Sequence, residues 1–225
     1  MIGRRLFLAG LAVTATAAAG TRQQVRLELP APTGRHRVGV TDFHLIDGSR
    51  PDPRAPEKPY RELMVTVRYP AQRVGGHPVA PHMTRALAEH FAHTAARGTV
   101  AIPPRIPVGS VDWAATPTHS HRNAPVELGS GPLPVLLCSP GHLMSRAFGA
   151  LLAEDLASHG YAVVCLDHTH DPTEVEFPGG RIEVNRQADL PPSPLHGLVQ
   201  GPHERTPPGD DWRDSGVFRE MRESR

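Results

Sequence analysis

The chain has 225 residues, which is enough for one domain of ordinary size. Its 24 Lys and Arg residues against 23 Asp and Glu residues leave a formal net charge of +1, a balance that gives no electrostatic footprint for nucleic acid or for an anionic membrane surface. The 25 Pro and 21 Gly residues make up about a fifth of the chain, so long loops are expected. Two Cys residues exclude a disulfide framework and a zinc-ribbon site.

Residues 1–20 have the pattern of an export signal. Arg4 and Arg5 precede an apolar run over residues 6–19, which is shorter than the roughly 20 residues that a membrane span needs. Three alanines at 17–19 offer a cleavage site, and the paired arginines are typical of twin-arginine signals. We expect an exported, extracytoplasmic protein with no stable membrane anchor; the alternative is a basic N-terminus on an ordinary helix.

Two strands and a helix are predicted in the first part of the mature chain. Residues 37–46 alternate loosely and end at an Asp-Gly-Ser turn, whereas residues 61–69 are β-branched and apolar until Pro70 stops them. Residues 84–97 begin with Thr84 as N-cap and have apolar residues at helical spacing, which predicts a helix.

A strand, a helix and a second strand follow in the central part of the chain. Residues 133–138 and 161–166 are continuous apolar runs, as expected for strands buried on both faces. Between them, residues 145–159 have helical spacing, and Gly160 is placed to cap the helix. The predicted apolar stripe of this helix consists of Phe148, Leu152 and Leu156. The order predicts a βαβ unit with two parallel strands.

The remaining segments complete one predicted domain over residues 21–225. Residues 99–131 are Pro-rich with no clear period and are interpreted as an excursion. Residues 174–177 and 181–184 flank a Pro-Gly-Gly turn, which predicts a small hairpin. Residues 187–211 read as a Pro-rich loop, and residues 211–225 as the beginning of a further helix.

Three groups of residues are candidates for chemistry. The loop at 139–145 lies between a predicted strand and helix, where its amides could face the crevice at the carboxyl ends of parallel strands. A plain turn is the alternative. Asp167 and His168 end the second strand of the βαβ unit, where they face a ligand or simply satisfy loop amides. His90 and His93, three apart on a predicted helix, suggest a metal pair, although no third ligand completes a site.

No residue in the sequence has the context of an activated nucleophile. A strained strand-to-helix elbow needs G-x-S-x-G, and no Ser has Gly at both of the required positions. Cys138 and Cys165 lie within apolar runs and are interpreted as inert buried thiols.

A family resemblance is carried mainly by residues 139–181, which read SPGHLMSRAFGALLAEDLASHGYAVVCLDHTHDPTEVEFPGGR. With TDFHLIDGSRPDP, RELMVTVRYP and GHPVAPHMT upstream, this segment resembles the platelet-activating-factor acetylhydrolase-like α/β-hydrolases, especially exported actinobacterial members. The similarity covers residues 37–185. It implies the N-terminal half of an α/β-hydrolase fold, with a mostly parallel sheet and flanking helices.

The resemblance also implies a chemistry. Family members are esterases of short acyl groups, with a Ser nucleophile, an Asp and a His in that chain order. By position, the backbone N–H of His142 corresponds to one donor of the oxyanion hole, although Leu143 replaces a glycine of the family pattern. Asp167 and His168 cannot be the triad acid and base, because those residues follow the nucleophile. The expected substrates are small-molecule esters or phospholipids, and no cofactor or nucleic acid is expected.

The nucleophile elbow, the triad Asp and the triad His of the family have no counterpart in this sequence. We therefore expect a chain that stops before the elbow and is inactive alone. In the family the nucleophile strand pairs beside the strand predicted at 133–138, so that strand is expected to have an unpaired edge. A secreted binding module without enzymatic activity and a His-rich metal binder are the alternative functions.

Overall fold

The computed structural model describes residues 24–97, 106–129 and 131–185, and these form eight strands and two α-helices. The strands are β1 (Arg37–Asp47), β2 (Arg61–Ala71), β3 (Val79–Pro81), β4 (Pro117–Arg122), β5 (Val135–Cys138), β6 (Ala162–His168), β7 (Glu174–Glu176) and β8 (Ile182–Val184). The α-helices are α1 (Arg85–Arg97) and α2 (Ala150–Ser158), and 3-10 turns cover Arg146–Gly149 and Pro178–Gly180. The predicted export signal at 1–20, loop at 187–211 and helix at 211–225 lie outside the described residues.

Six of the strands form one mixed sheet in the order β3-β4-β1-β2-β6-β5. β5 pairs with β6 and β4 pairs with β1 in parallel, while the other three pairings are antiparallel. The sheet is therefore mixed in this part of the chain, where the family resemblance implied a mostly parallel one. No helix within the described ranges is both long and apolar enough to cross a membrane.

The predicted local elements form, and the βαβ unit is confirmed. β5 and β6 are parallel, with a 3-10 turn and α2 between them. Thr84 caps α1 as predicted, since its Oγ1 accepts a hydrogen bond from the Leu87 amide at 3.2 Å. Gly160 follows α2 with a φ of 104°, a left-handed conformation that favours glycine. β7 and β8 pair as the predicted hairpin.

Two segments differ from the prediction because tertiary pairing overrides local signals. β2 continues through Pro70 instead of stopping there. The Pro70 carbonyl points away from β1 and accepts a hydrogen bond from the Glu127 amide at 2.8 Å, so the missing N–H removes no bond between β1 and β2. The predicted excursion at 99–131 contains β4, which lies between β1 and β3. The alternating residues Thr118 and Ser120 of β4 are buried. Because they are polar, the segment lacks the apolar alternation from which a strand is predicted.

Helix α2 packs on the sheet through small residues, not through the predicted stripe. Ala150, Ala153 and Ala157 are buried, whereas Leu152 is 62% exposed. Phe148 packs with the α1 cluster, and Leu156 packs with β6. The predicted stripe is wrong at Leu152, because a helix that lies close to a sheet buries its small side chains.

Strand β5 is the edge of the described sheet, and one of its faces is uncovered. Leu136 and Cys138 face α2, where they pack against Val163 and Cys165. On the opposite face, Val135 is 62% exposed and Leu137 is 76% exposed. The prediction of a strand buried on both faces is therefore wrong for β5 in this part of the chain, and the expected unpaired edge is present there.

Candidate functional site

A cleft of about 340 Å³ opens where β5 and β6 end and β2 begins. Its lining consists of Pro53, Arg54, Arg61, Ser139, His168, Thr169 and Asp171. The register explains the position: β6 is antiparallel to β2 and parallel to β5, so the start of β2 meets the carboxyl ends of the other two strands. Carboxyl ends of parallel strands are common places for ligands in α/β proteins.

The loop after β5 borders this cleft. Its backbone is held by two hydrogen bonds, from the Leu143 amide to the Asp171 carbonyl at 3.2 Å and from the Met144 amide to the Gly141 carbonyl at 3.0 Å. The preceding amide, that of His142, donates to no acceptor among the described residues. The His142 side chain is exposed, with Nδ1 3.4 Å from an Asp171 carboxylate oxygen. An amide without an acceptor is what an oxyanion donor requires.

Leu143 has a φ of 65°, in the left-handed region that favours glycine. This is the position at which the resembling family has glycine. The loop therefore keeps a backbone conformation suited to glycine while carrying a leucine side chain.

Asp167 has a structural role. Its carboxylate is 1% exposed and accepts hydrogen bonds from the Arg146 amide at 2.5 Å and from the Arg146 guanidinium. The guanidinium also donates to the Thr66 hydroxyl at 2.9 Å. Burial raises the pKa of the Asp167 carboxyl, against the opposing attraction of Arg146. Of the two alternatives for Asp167, the structure supports the one in which the carboxylate accepts from a backbone amide. The contact with Arg146 anchors the C-terminal end of the loop after β5.

His168, by contrast, faces the cleft and contacts Ser139 and Arg61. Its Nε2 lies 3.0 Å from Ser139 Oγ, and its Nδ1 lies 3.5 Å from an Arg61 guanidinium nitrogen. Sequence analysis placed Ser139 in a candidate loop without pairing it with His168, and it missed Arg61 as a site residue. The predicted parallel pairing of β5 with β6 was the available signal for Ser139, but the position of Arg61 depends on the antiparallel pairing of β2 with β6, which no local pattern encodes.

The histidines proposed as a metal pair do not form a site with other ligands. His90 and His93 are both exposed on α1. Across the described ranges, no group of three or more His, Cys, Asp or Glu side chains is arranged to hold a metal ion.

The two cysteines are opposite each other on β5 and β6, in the register Cys138 to Cys165. Both are free thiols, and Cys165 is fully buried. Burial, together with the neighbouring Cys138, raises the pKa of the Cys165 thiol to about 12. A thiol in that environment is a poor nucleophile, as predicted for Cys165, whereas Cys138 is only half-buried.

Comparison with known proteins identifies two esterases. The chain is 29% identical to a probable 1-alkyl-2-acetylglycerophosphocholine esterase of Arthroderma benhamiae, over 68% of this chain and 40% of the relative. The solved structure of a ferulic acid esterase from Streptomyces cinnamoneus is similar with a TM-score of 0.59 and 35% identity, over 77% of this chain and 45% of that one. No family model matches the chain. The chain spans less than half the length of either relative.

The sheet order, the βαβ unit and the loop after β5 are thus found in a chain whose sequence and structure are similar to those of esterases. The chain is similar in sequence to an acetylglycerophosphocholine esterase and in sequence and structure to a ferulic acid esterase, and the described residues form a mixed sheet consistent with part of an α/β-hydrolase fold.

Proposed function

We propose that this chain is part of an exported enzyme that hydrolyses carboxylic esters of short acyl groups, with acetylated phospholipids among the candidate substrates. The observation that carries the proposal is the His142 amide, which has no acceptor among the described residues and lies in the loop at the carboxyl end of β5. The names of the two relatives, an acetylglycerophosphocholine esterase and a ferulic acid esterase, support the reaction class.

The role of this loop follows from the chemistry of acyl transfer. Attack on an ester carbonyl converts its oxygen to an oxyanion, and a fixed amide aimed at that position stabilises the developing charge. The Arg146–Asp167 pair anchors one end of the loop, and the amide of Leu143 is already bonded to Asp171. The His142 amide lies beside these fixed contacts and has no acceptor among the described residues.

The nucleophile must come from elsewhere, because no Ser of the 225 residues lies in a G-x-S-x-G elbow. We infer that the reactive Ser, Asp and His belong to a further polypeptide segment that pairs along the open edge of β5. The exposed Val135 and Leu137 support this inference, as does a match that covers only 40% and 45% of the two relatives. An oxyanion donor alone cannot form an acyl-enzyme.

A chimera tests this function. Residues 24–185 would be joined to the remaining part of the ferulic acid esterase, and hydrolysis of p-nitrophenyl acetate and labelling by a fluorophosphonate would be measured. We expect both in the chimera and neither in the 225-residue chain. Labelling of the chain alone would contradict the proposal, and saturable ester binding without turnover in the chimera would favour a binding module instead.

The role of the backbone amide has its own test in the same chimera. His142→Pro removes the N–H, whereas His142→Ala removes the side chain and keeps it. We expect His142→Pro to lower kcat by about 10²–10³-fold, the usual effect of losing an oxyanion-hole donor, and His142→Ala to lower it only a few-fold. Equal losses in the two variants would show that the side chain or the fold matters and that the amide does not.

A further inference from the structure

Three polar side chains meet on one face of the sheet, and the strand registers explain why. Leu137 is opposite Val164 and Leu63 is opposite His168. Because side chains alternate along a strand, Ser139, His168 and Arg61 all point to the face that is opposite α2. The same alternation places Asp167, which pairs with Arg146, on the other face of the sheet.

Arg61 is the cation of this cleft that has no anionic partner within the described residues. Arg54, which also lines the cleft, pairs with the Asp171 carboxylate at 2.6 Å. Arg61 makes no ion pair in this part of the chain, and its guanidinium makes a long contact to His168 Nδ1 at 3.5 Å. The neighbouring carboxylate of Glu62 is bonded to Arg181 at 2.7 Å and to His44 at 2.9 Å. A half-buried guanidinium without a counterion in a cleft is suited to bind an anion.

The contact of His168 with Arg61 also determines what Ser139 can do. A guanidinium has only donors, so it faces an imidazole nitrogen that carries a lone pair. In a neutral ring, a lone pair on Nδ1 places the proton on Nε2, which then donates to Ser139 Oγ. In this tautomer His168 cannot accept the Ser139 proton as a general base, and the pair is not a nucleophilic dyad. The Ser139 hydroxyl proton is left free to donate into the cleft.

We propose that the cleft between the ends of β2, β5 and β6 binds an oxyanion, either a phosphodiester or a carboxylate, through the Arg61 guanidinium and the Ser139 hydroxyl. His168 is a positioning residue, because it accepts from Arg61 and orients Ser139. Both ligand-contacting groups are donors, which matches an acceptor-only ligand. The cleft borders the His142 loop, so this oxyanion would be part of the ester substrate if the proposed function holds. The binding of an oxyanion in the cleft does not depend on the proposed function.

The test measures binding of non-hydrolysable probes to the full 225-residue chain. Inorganic phosphate, glycerophosphocholine and acetate would be titrated by calorimetry at constant ionic strength set with chloride. We expect saturable binding that Arg61→Gln weakens by at least about tenfold, as is usual for a lost charge-assisted hydrogen bond. The matched control is Arg50→Gln, an exposed arginine paired with Asp47, and it should bind as the unmodified chain does. Preference for glycerophosphocholine identifies a phosphodiester site, and preference for acetate identifies a carboxylate site.

A second measurement does not depend on a folded variant. Arginine modification by phenylglyoxal would be mapped by mass spectrometry in the unmodified chain, with and without phosphate. We expect phosphate to protect Arg61 and to leave Arg50 unchanged. The proposal is overturned if no probe binds, if Arg61→Gln binds as tightly as the unmodified chain, or if protection at Arg61 equals that at Arg50. Oxyanion binding without ester hydrolysis in the chimera would leave this site in place and remove the proposed function alone.

Discussion

On the face of the sheet that α2 covers, buried charged side chains of α2 and β2 lack some of their hydrogen bonds. Glu154 is 1% exposed and accepts hydrogen bonds from the His119 amide at 2.9 Å and the Ser120 hydroxyl at 2.5 Å. Three nearby side-chain atoms are buried without a hydrogen-bond partner in the described residues: the second carboxylate oxygen of Glu154, Arg68 Nε and His82 Nδ1. Burial, and next the positive charge of Arg68, lower the pKa of His82 to about 4. Residues of this kind make folding sensitive to pH.

His82 should reduce stability in mild acid. Above its ordinary pKa of 6.5 the ring is neutral in both the folded and the unfolded chain, so it adds no pH dependence there. As the pH falls from 6.5 towards 4, His82 becomes protonated in the unfolded chain but stays neutral in the folded chain. From pH 7 to pH 5 this linkage lowers the free energy of unfolding by about 2 kcal/mol.

Urea unfolding at the two pH values measures this effect. His82→Gln should remove about 2 kcal/mol of the acid-induced loss. His93→Gln, at an exposed position of α1, should leave the loss as it is. An unchanged difference between pH 7 and pH 5 in His82→Gln would show that the acid sensitivity comes from other groups.

Among the elements, the loop between β5 and the 3-10 turn contains the clearest local strain. Leu143 is in the left-handed region, with a φ of 65°, and its amide is bonded to Asp171. For an L-residue with a Cβ this conformation costs about 1–2 kcal/mol relative to glycine. The tertiary contacts of the loop impose the conformation, since the sequence there offers no glycine at this position.

Two substitutions separate strain from packing at this position. Leu143→Ala and Leu143→Gly both remove the leucine side chain, but only glycine relieves the left-handed backbone. We expect the glycine variant to be more stable than the alanine variant by about 1 kcal/mol, measured by chemical denaturation. Equal stabilities would mean that the loop relaxes out of the left-handed conformation in solution.

The elements themselves were largely predictable from sequence, because periodicity and caps are local properties. β1, α1 and the βαβ unit follow their apolar patterns, and Thr84 and Gly160 occupy the predicted cap positions. The failures involve packing. Leu152 belongs to the predicted apolar stripe but is exposed, because α2 approaches the sheet through alanines. β4 was missed because its buried residues are Thr and Ser, which do not stand out as apolar.

At the scale of the whole molecule, the open edge of β5 is the main liability of the described sheet. Val135 and Leu137 are exposed on one face of a strand that is paired on one side only within these ranges. Unpaired apolar edges are templates for association with other chains. We therefore expect the isolated 225-residue chain to be poorly soluble or easily proteolysed, and a monodisperse sample with a cooperative thermal transition would contradict this.

A charge on the edge should suppress this association. Leu137→Lys places a lysine on β5, where Leu137 is 76% exposed, and Leu128→Lys places one in a loop, where Leu128 is 67% exposed. We expect light scattering at equal concentration to show less self-association for Leu137→Lys than for Leu128→Lys, because only the first blocks strand pairing. Similar scattering from the two variants would show that general hydrophobicity, not the edge, drives association.

The sequence by itself determined most of the strands and helices, though not β4, that the loop after β5 lies at a strand end, and that no Ser lies in a nucleophile elbow. These features depend on periodicity, turn residues and motif spacing, which are local. Only the tertiary structure decided that the Asp167 carboxylate is bonded to Arg146 on one face of the sheet. It also decided that Ser139, His168 and Arg61 meet on the other face. The physical reason is that strand order and register bring together residues from three separate strands and assign each side chain to one face of the sheet.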